Sequence, residues 1–505
     1  MFNLFYTLKF IYKNKKIYSK THGSKIVLVE LFNYKASIIS NGIFANELAK
    51  IKKAKIVGYE PNFLNFKRKI KNLINKINIF SCHNLYKSFG LNSIVLPKKI
   101  PRNVDSEKIF RNTIKKIKSK RDILKIKIKS TLIGDLIYDS FLRENRHATI
   151  DIKSKLFHRY LKNSIDLFLY WDNYFNINNV VGVVLSHSVY LTAIPVRIAT
   201  RNKISVYNAG FSSVYRLTKN KPLKFSYFNE YPKYFKKIKF SSQQKILNIA
   251  KKNMKLRLSG KKDLLYNKGQ SLKERVYLRK RVKLKSEKNI ILIAAHDFTD
   301  APHVHGKMIF NDFYDWIDFL GKKSQQLKKY HWYIKLHPAD YEENLNYVKV
   351  FLDKYPNLKL LPKNTNHNNL LSKGIICVLT TYGSIAHEYP FFDVPVINAG
   401  ENPHSGYNFS ITPNNFKKYQ YLINNIDKIK QSKKNIKQIY EFYAMYQLVD
   451  YNIFEELKFS EKKLNNYYIF NYYQKKFNNF KINKIRKKYY NFIKSKDRRL
   501  IKFVN

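Results

Sequence analysis

Between residues 289 and 400 one alternation repeats and leaves few folds open. Short runs rich in Ile, Val and Leu, namely NIILIAA (289–295), HWYIKL (331–336), LKLL (358–361), IICVL (375–379) and VPVINAG (394–400), are separated by longer mixed stretches. Two of those stretches, 310–329 and 341–354, have helical length. Such short apolar runs read as strands buried on both faces, and the stretches between them as crossover helices. Strand alternating with helix predicts a doubly wound parallel sheet.

The first half carries the same signature less evenly. IVLVEL (26–31) predicts a strand, 36–52 a helix and KIVGY (55–59) a second strand, a β-α-β opening. Residues 62–128, rich in Lys, Ile and Asn, give no order of elements. VVGVVL (180–185) reads as a buried strand, followed by a helix to about Arg201 and a strand ISVY (204–207). At 505 residues the chain exceeds one ordinary core. The expected architecture is α/β with two Rossmann-like domains. An N-terminal domain covers 1–254, a Lys/Arg-rich linker 255–287, a second domain 288–413 and a helical, basic, aromatic tail 414–505.

A hydrophobic content of 44% supplies cores for two such domains and excludes a disordered chain. The formal net charge is +61, mostly from Lys, and abundant Asn, Ile, Tyr and Phe accompany it. All five have A/T-rich codons, so genome bias accounts for part of the excess. The surface is still strongly positive, which attracts nucleic acid, anionic lipid or anionic small substrates without choosing among them. The basic residues are spread along the chain and no RRM, KH or helix-turn-helix signature occurs, so no nucleic-acid partner is expected. Cys82 and Cys377 fit no metal-ligand spacing and no disulfide framework, which suits a reducing compartment. The start, MFNLFYTLKFIYKNKKIY, lacks the apolar core and cleavage site of a signal peptide. No uncharged apolar run reaches about eighteen residues. We expect a cytoplasmic protein, soluble or lying on a membrane surface.

Ligands of a parallel α/β sheet bind beyond the carboxyl ends of its strands, so the residues there matter most. His296 and Asp297 follow the first strand of the second series, and His337-Pro338 closes HWYIKL. An imidazole at such an edge can donate to a phosphate oxygen or protonate a leaving group. In TTYGS (380–384) come Thr380, Thr381, a Gly383 suited to a tight turn, and Ser384 at the start of the next helix. A hydroxyl and free N–H groups at a helix start make an anion site. Glu388 lies one turn on, on the same face, where it can accept from ribose hydroxyls. Each residue alone also has a plain structural reading, a loop cap or a solvated helix charge. In the first half, STLIGDLIYDSFLR (130–143) combines Gly134 with Asp135, Asp139 and Arg143. Ser186, His187 and Ser188 end VVGVVL, and Asn208 ends ISVY. Against any site reading of Asp135 and Asp139 stands that of a helix-surface Asp.

Residues 289–407 resemble the C-terminal, donor-binding domain of GT-B glycosyltransferases of the capsule polysaccharide class. That class includes the Kdo transferases of capsule export loci, with bacterial sialyltransferases and teichoic-acid glycerophosphotransferases as more distant relatives. The resemblance rests on IKLHP (334–338), YGSIAHE (382–388) and VPVINAGENPHSGY (394–407), and covers about a quarter of the chain. A weaker one lies in IGD (133–135) and LSHSVY (185–190). The resemblance of 289–407 implies that His337, with Ser384 and Thr380 or Thr381, holds the donor's phosphate, at an edge that also carries His296, Pro338 and Gly383, and that Glu388 holds the ribose. Inverting enzymes of this kind need a carboxylate or His to deprotonate the acceptor hydroxyl, for which Asp135 is the first choice, before His187 and Asp139. The resemblance also implies a glycosyltransferase moving sugar from a nucleotide-sugar to a growing or lipid-linked surface polysaccharide, with no cofactor and no metal. A glycerophosphotransferase or a GT-B-like sugar-nucleotide epimerase would share fold and phosphate site. A nucleic-acid-binding protein is the alternative from charge alone. The sequence has no GxGxxG after a strand, no GxxxxGK[ST] and no DxD, which argues against a dehydrogenase, a P-loop enzyme and a metal-dependent GT-A transferase.

In residues 462–505, clusters of Tyr and Phe alternate with clusters of Lys and Arg. On a helix such a pattern can set rings at a membrane interface with cations near anionic head groups. We expect the tail to pack on the domains before about residue 460 and to meet membrane after it. A chain ending near Lys463 is then expected to stay folded.

Overall fold

The structure is a computed structural model. It describes residues 2–18, 20–60, 62, 74, 77–98, 104–210, 213–258, 289–337, 341–363, 365, 367–430, 436–451, 453, 467–476 and 478–502. The chain forms two compact units: unit 1 comprises residues 1–140, 151–224 and 450–502, and unit 2 comprises 141–150, 225–449 and 503–505.

Unit 1 is built on strands β1 (Lys25–Glu30), β2 (Ala54–Tyr59), β3 (Leu91–Val95), β6 (Val180–Leu185), β7 (Ser205–Asn208) and β8 (Tyr215–Leu217), after a small hairpin of β4 (Lys127–Ile128) and β5 (Thr131–Leu132). The sheet order is β3-β2-β1-β6-β7-β8, parallel throughout except for β8, which runs antiparallel to β7. Strand β3 lies in the stretch whose order the sequence left open. The helix Lys35–Lys52 is buried from Lys35 to Ala49. Its lack of an apolar stripe follows, since a helix covered on all sides has no solvent face to mark. Gly42 is required there: a Cβ would lie 2.5 Å from the ring of Phe89.

What covers that helix is the tail. In the helix Asn479–Lys494, Ile482, Ile485, Tyr489 and Phe492 recur at three- and four-residue spacing and are buried in the unit 1 core. Ile469, Phe470 and Tyr473 of the helix Tyr468–Lys476 join them. Tyr489 meets Phe44 with ring centroids 4.9 Å apart, and Phe470 stacks on Phe10 at 4.3 Å. The expectation that rings beyond residue 460 face a membrane is therefore corrected: their spacing is that of a core stripe. Arg216 of β8 caps the last helix, its Nη2 donating to the carbonyls of Phe492, Ile493 and Ser495.

Unit 2 holds β9 (Ile290–Ala294), β10 (His331–Lys335), β11 (Leu358–Leu360), β12 (Ile375–Thr380) and β13 (Val396–Asn398), all parallel, in the order β11-β10-β9-β12-β13. Each coincides with a run read from the sequence. Alternate residues feed two cores. Ile291, Ile293, Trp332 and Ile334 pack with Trp316, Leu320, Val348 and Phe351 of the helices Phe313–Gln326 and Tyr341–Lys354. Ile290, Leu292 and Tyr333 pack on the opposite face with Leu370, Ile385 and Tyr389.

Two Rossmann-like units, each on a largely parallel sheet, are thus the architecture the strand pattern predicts. The division differs from the boundaries read off composition. The second unit begins near 225 rather than 288, because the helix Phe240–Leu258 packs against Ile436–Gln447. Residues 141–150 belong to unit 2 and residues 450–502 to unit 1. Of the expected linker, 255–258 is the last turn of a helix, and the remainder lies outside the described residues. No helix of the described residues is long and apolar enough to cross a membrane.

Candidate functional site

In unit 2 the helices after β9 and β10 lie on one face of the sheet, while Leu370 and Ile385, which flank β12, lie on the other. The topology therefore reverses between β9 and β12, which is where an open α/β sheet leaves a ligand crevice. His296 stands two residues beyond β9. Its ring stacks on that of His337 at 5.4 Å with 23° between planes, and lies 4.5 Å from the ring of Tyr382. Phe313 backs it at 5.2 Å. Thr380 ends β12 and its hydroxyl donates to the Ala294 carbonyl at 3.2 Å, tying the two strand ends together. Thr381 is buried, and neither its Oγ1 nor His296 Nδ1 has a hydrogen-bond partner among the described residues. A buried hydroxyl without a partner is costly unless something else completes it. Burial first, then neighbouring His296, pushes His305 down to about 3, so this imidazole, 4.4 Å from Tyr382, is neutral near pH 7.

Gly383 does not use a left-handed turn. Its role is space, since a Cβ would lie 3.1 Å from Thr380 Oγ1. Ser384 precedes a helix of only four residues, Ile385–Glu388, and its side chain caps no N–H. The segment continues as a 3-10 turn, Tyr389–Phe392. Glu388 is buried, and its Oε1 accepts from Arg257 Nε at 2.8 Å and Nη2 at 2.6 Å. Behind it, His387 Nδ1 and His404 Nε2 lie 3.0 Å apart. Pro338 lies outside the described residues. Arg257 was missed in the sequence because it sits in the Lys-rich stretch that looked like linker. Among the described residues no group of three or more His, Cys, Asp or Glu could hold a metal ion.

Unit 1 separates its candidates. Asp135 Oδ2 accepts from Arg197 Nη2, whose Nη1 donates to the Leu132 carbonyl. Asp139 is buried. His187 stands instead at the end of β6, where the N–H groups of Ser186 and His187 donate to Glu30 Oε2 at 2.6 Å and 3.2 Å. Asn208 Nδ2 donates to the Ser186 carbonyl at 2.8 Å. Glu30 is 4% exposed, and burial raises its pKa to about 7 against the pull of those two N–H groups. It was not singled out in the sequence. The available signal was a single carboxylate ending the otherwise apolar run IVLVEL.

No family model matches the sequence, and no curated protein does. Several solved structures show likeness. Thermosulfurimonas dismutans KpsC, a beta Kdo 2,4 transferase, is 11% identical, with 53% of this chain and 79% of that one covered at a TM-score of 0.32. The UDP-GlcNAc 2-epimerase of Methanocaldococcus jannaschii is 11% identical over 84% of this chain and 98% of its own, at 0.27. The wall teichoic acid polymerase TagF is 10% identical over 96% and 94%, at 0.22.

Proposed function

We propose that the chain is a GT-B-type glycosyltransferase, taking a sugar from a nucleotide-sugar donor and passing it to a growing or lipid-linked surface polysaccharide. One observation carries this reading: the hydroxyl of Thr381 and the imidazole nitrogen of His296, unpartnered among the described residues and set with His337 at the crevice of unit 2. A diphosphate accepts hydrogen bonds on every oxygen and would complete such groups. Donors fixed around a departing phosphate also stabilise the charge that develops as the sugar leaves. In this reading Thr381, His296 and His337 hold the phosphates. Glu388, held at Oε1 by Arg257, is the carboxylate for the ribose.

The test is a thermal-shift panel of CMP, CDP, UDP, GDP and their sugars, because a ligand of the folded state alone must raise Tm. His337→Ala and Thr381→Val should each weaken the selected nucleotide about tenfold, the loss of roughly one charge-assisted hydrogen bond. Full affinity in both variants would place the nucleotide elsewhere. Slow release of free sugar without acceptor marks a transferase, whereas an epimerase leaves the sugar–phosphate bond intact in net turnover.

We also infer a peripheral position on the cytoplasmic face of an anionic membrane. Support comes from the first helix, Phe2–Ile17, rather than from the tail: it exposes Leu4, Phe5, Leu8 and Tyr12 beside Lys9, Lys15 and Lys16.

A further inference from the structure

At the carboxyl end of the unit 1 sheet three buried side chains converge on Ser186. Glu30 at the end of β1 takes its N–H, Asn208 at the end of β7 donates to its carbonyl, and Asn41 of the helix Lys35–Lys52 donates to its Oγ at 2.8 Å. These ends of β1 and β6 flank the reversal of order in β3-β2-β1-β6-β7-β8, the crevice position of this sheet. The arrangement is rich in unused acceptors. Asn41 and Asn208 are wholly buried, and the Oδ1 of each has no partner among the described residues. Both N–H groups that reach Glu30 meet the same oxygen, Oε2, which leaves Oε1 for a donor from outside. Above Glu30 the lip is half-buried, formed by Phe32, Ser186 and His187, with the Phe32 and His187 rings 4.3 Å apart edge to face.

We propose that this crevice binds the hydroxyl-bearing saccharide acceptor, and that the Glu30 carboxylate receives the proton of the hydroxyl that reacts. The proposal rests on the transferase reading above and adds the acceptor's place and its base. Acceptors without donors suit a polyhydroxylated ligand, and a carboxylate without a nearby cation suits a proton acceptor. Glu30 makes no ion pair with Lys or Arg among the described residues. Among the described residues the titratable groups coupled to it are Tyr59 of β2 and Tyr86 of the helix Cys82–Lys87, both pushed further from ionisation by burial, while His187 beyond β6 reaches it through its backbone N–H. In the step, the acceptor O–H proton passes to Glu30. The oxygen's electron pair forms the bond to the anomeric carbon. The bond from that carbon to the donor's phosphate oxygen breaks, and the nucleotide leaves with that pair. Glu30, raised to about 7, is about half ionised at neutral pH and close in basicity to the working range of a general base.

The experiment uses the full chain with CMP-, UDP- and GDP-sugars, and glycerol or methyl glucoside as surrogate acceptors. Nucleotide release is followed against pH, and infrared difference spectra of wild type minus Glu30→Gln report the carboxyl. The expected result is one carboxyl titrating near pH 7 whose titration moves down when the surrogate is added. Surrogate-dependent release rises with pH through about 7. Glu30→Gln, which keeps an oxygen for the two N–H groups, loses that limb and at least about a hundredfold in surrogate-dependent kcat, with the nucleotide-induced rise in Tm unchanged. Glu30→Asp recovers part of the rate. A carboxyl indifferent to the surrogates overturns the proposal, as does Glu30→Gln transfer at the wild-type rate and pH profile. If no nucleotide-sugar binds or turns over while a surrogate still shifts the Glu30 titration, the donor reading falls and the acceptor crevice stands.

Discussion

Glu30 ionises with two N–H groups in place of water, and that cost appears in stability as well as in chemistry. Its pKa is about 7 when folded, against an ordinary value of 4.5. Between those values the folded state holds a proton that the unfolded state has released. Stability is therefore full below about pH 4.5 and falls as pH rises through about 7. The span corresponds to on the order of 3 kcal/mol. Glu30→Gln removes the titration, so we predict equal stability of the two proteins near pH 4 and a more stable variant near pH 8 by that amount. Urea unfolding at the two pH values measures it, and a variant equally or less stable at pH 8 would refute it. The contrast between Glu30 and His337 shows what single residues reveal in a sequence. His337 was legible because a strand-length run ends at it and Pro follows. Glu30 was hidden because its partners, Ser186 and His187, come from 156 and 157 residues further along the chain. Arg257 was hidden both by the Lys-rich stretch around it and by the distance to its partner Glu388, 131 positions away.

At the scale of elements, the strands were the legible part, since short apolar runs buried on both faces carry their own signal. Helices announced themselves only where one face meets water. Lys35–Lys52 was found from its position between two strands, whereas the Tyr, Phe and Lys clusters of the tail read as a membrane face beyond about residue 460. Their three- and four-residue spacing decides for the core, although Tyr468, Phe480 and Tyr490 stay exposed, and the first helix also presents an apolar surface. There Leu4, Phe5, Leu8 and Tyr12 are 41%, 60%, 45% and 62% exposed. Vesicles containing phosphatidylglycerol should retain the full chain at low salt and release it at high salt, as screening weakens the lysine contribution. Phe5→Glu with Leu8→Glu should cost about a hundredfold in retention, from two side chains worth about 1.5 kcal/mol or more each on burial. Equal retention of wild type and double variant in a flotation assay would exclude this helix.

The whole molecule interleaves its two units along one chain. Unit 1 opens with residue 1 and is completed only by 450–502, while most of unit 2 lies between. Composition located the second sheet and missed this, because a change in residue usage marks where a segment starts, not which core it serves. The interleaving reverses the earlier expectation for a chain ending near Lys463. Such a chain lacks Ile469, Phe470, Tyr473, Ile482, Ile485, Tyr489 and Phe492, all buried in the unit 1 core. Removing even one large core side chain costs about 2–5 kcal/mol, so the loss of seven exceeds the whole stability of a typical domain. We predict that the truncated chain loses cooperative thermal unfolding of unit 1 and precipitates on expression, and a soluble truncation with the full-length melting profile would contradict this.

The tail closing over the helix Lys35–Lys52 also sets an order of events during translation. The strands β1, β2, β3, β6 and β7 leave the ribosome first, yet their cover of Ile482, Ile485, Tyr489 and Phe492 is made more than 250 residues after β7. At about 5–20 residues per second, that sheet waits on the order of 10 seconds or longer with one apolar face unfinished. Unit 2, later in the chain, can complete its sheet sooner. The nascent protein is therefore most exposed to chaperones and proteases through its oldest part, and synonymous codon changes that slow translation between 225 and 450 would lengthen that exposure without altering a single residue.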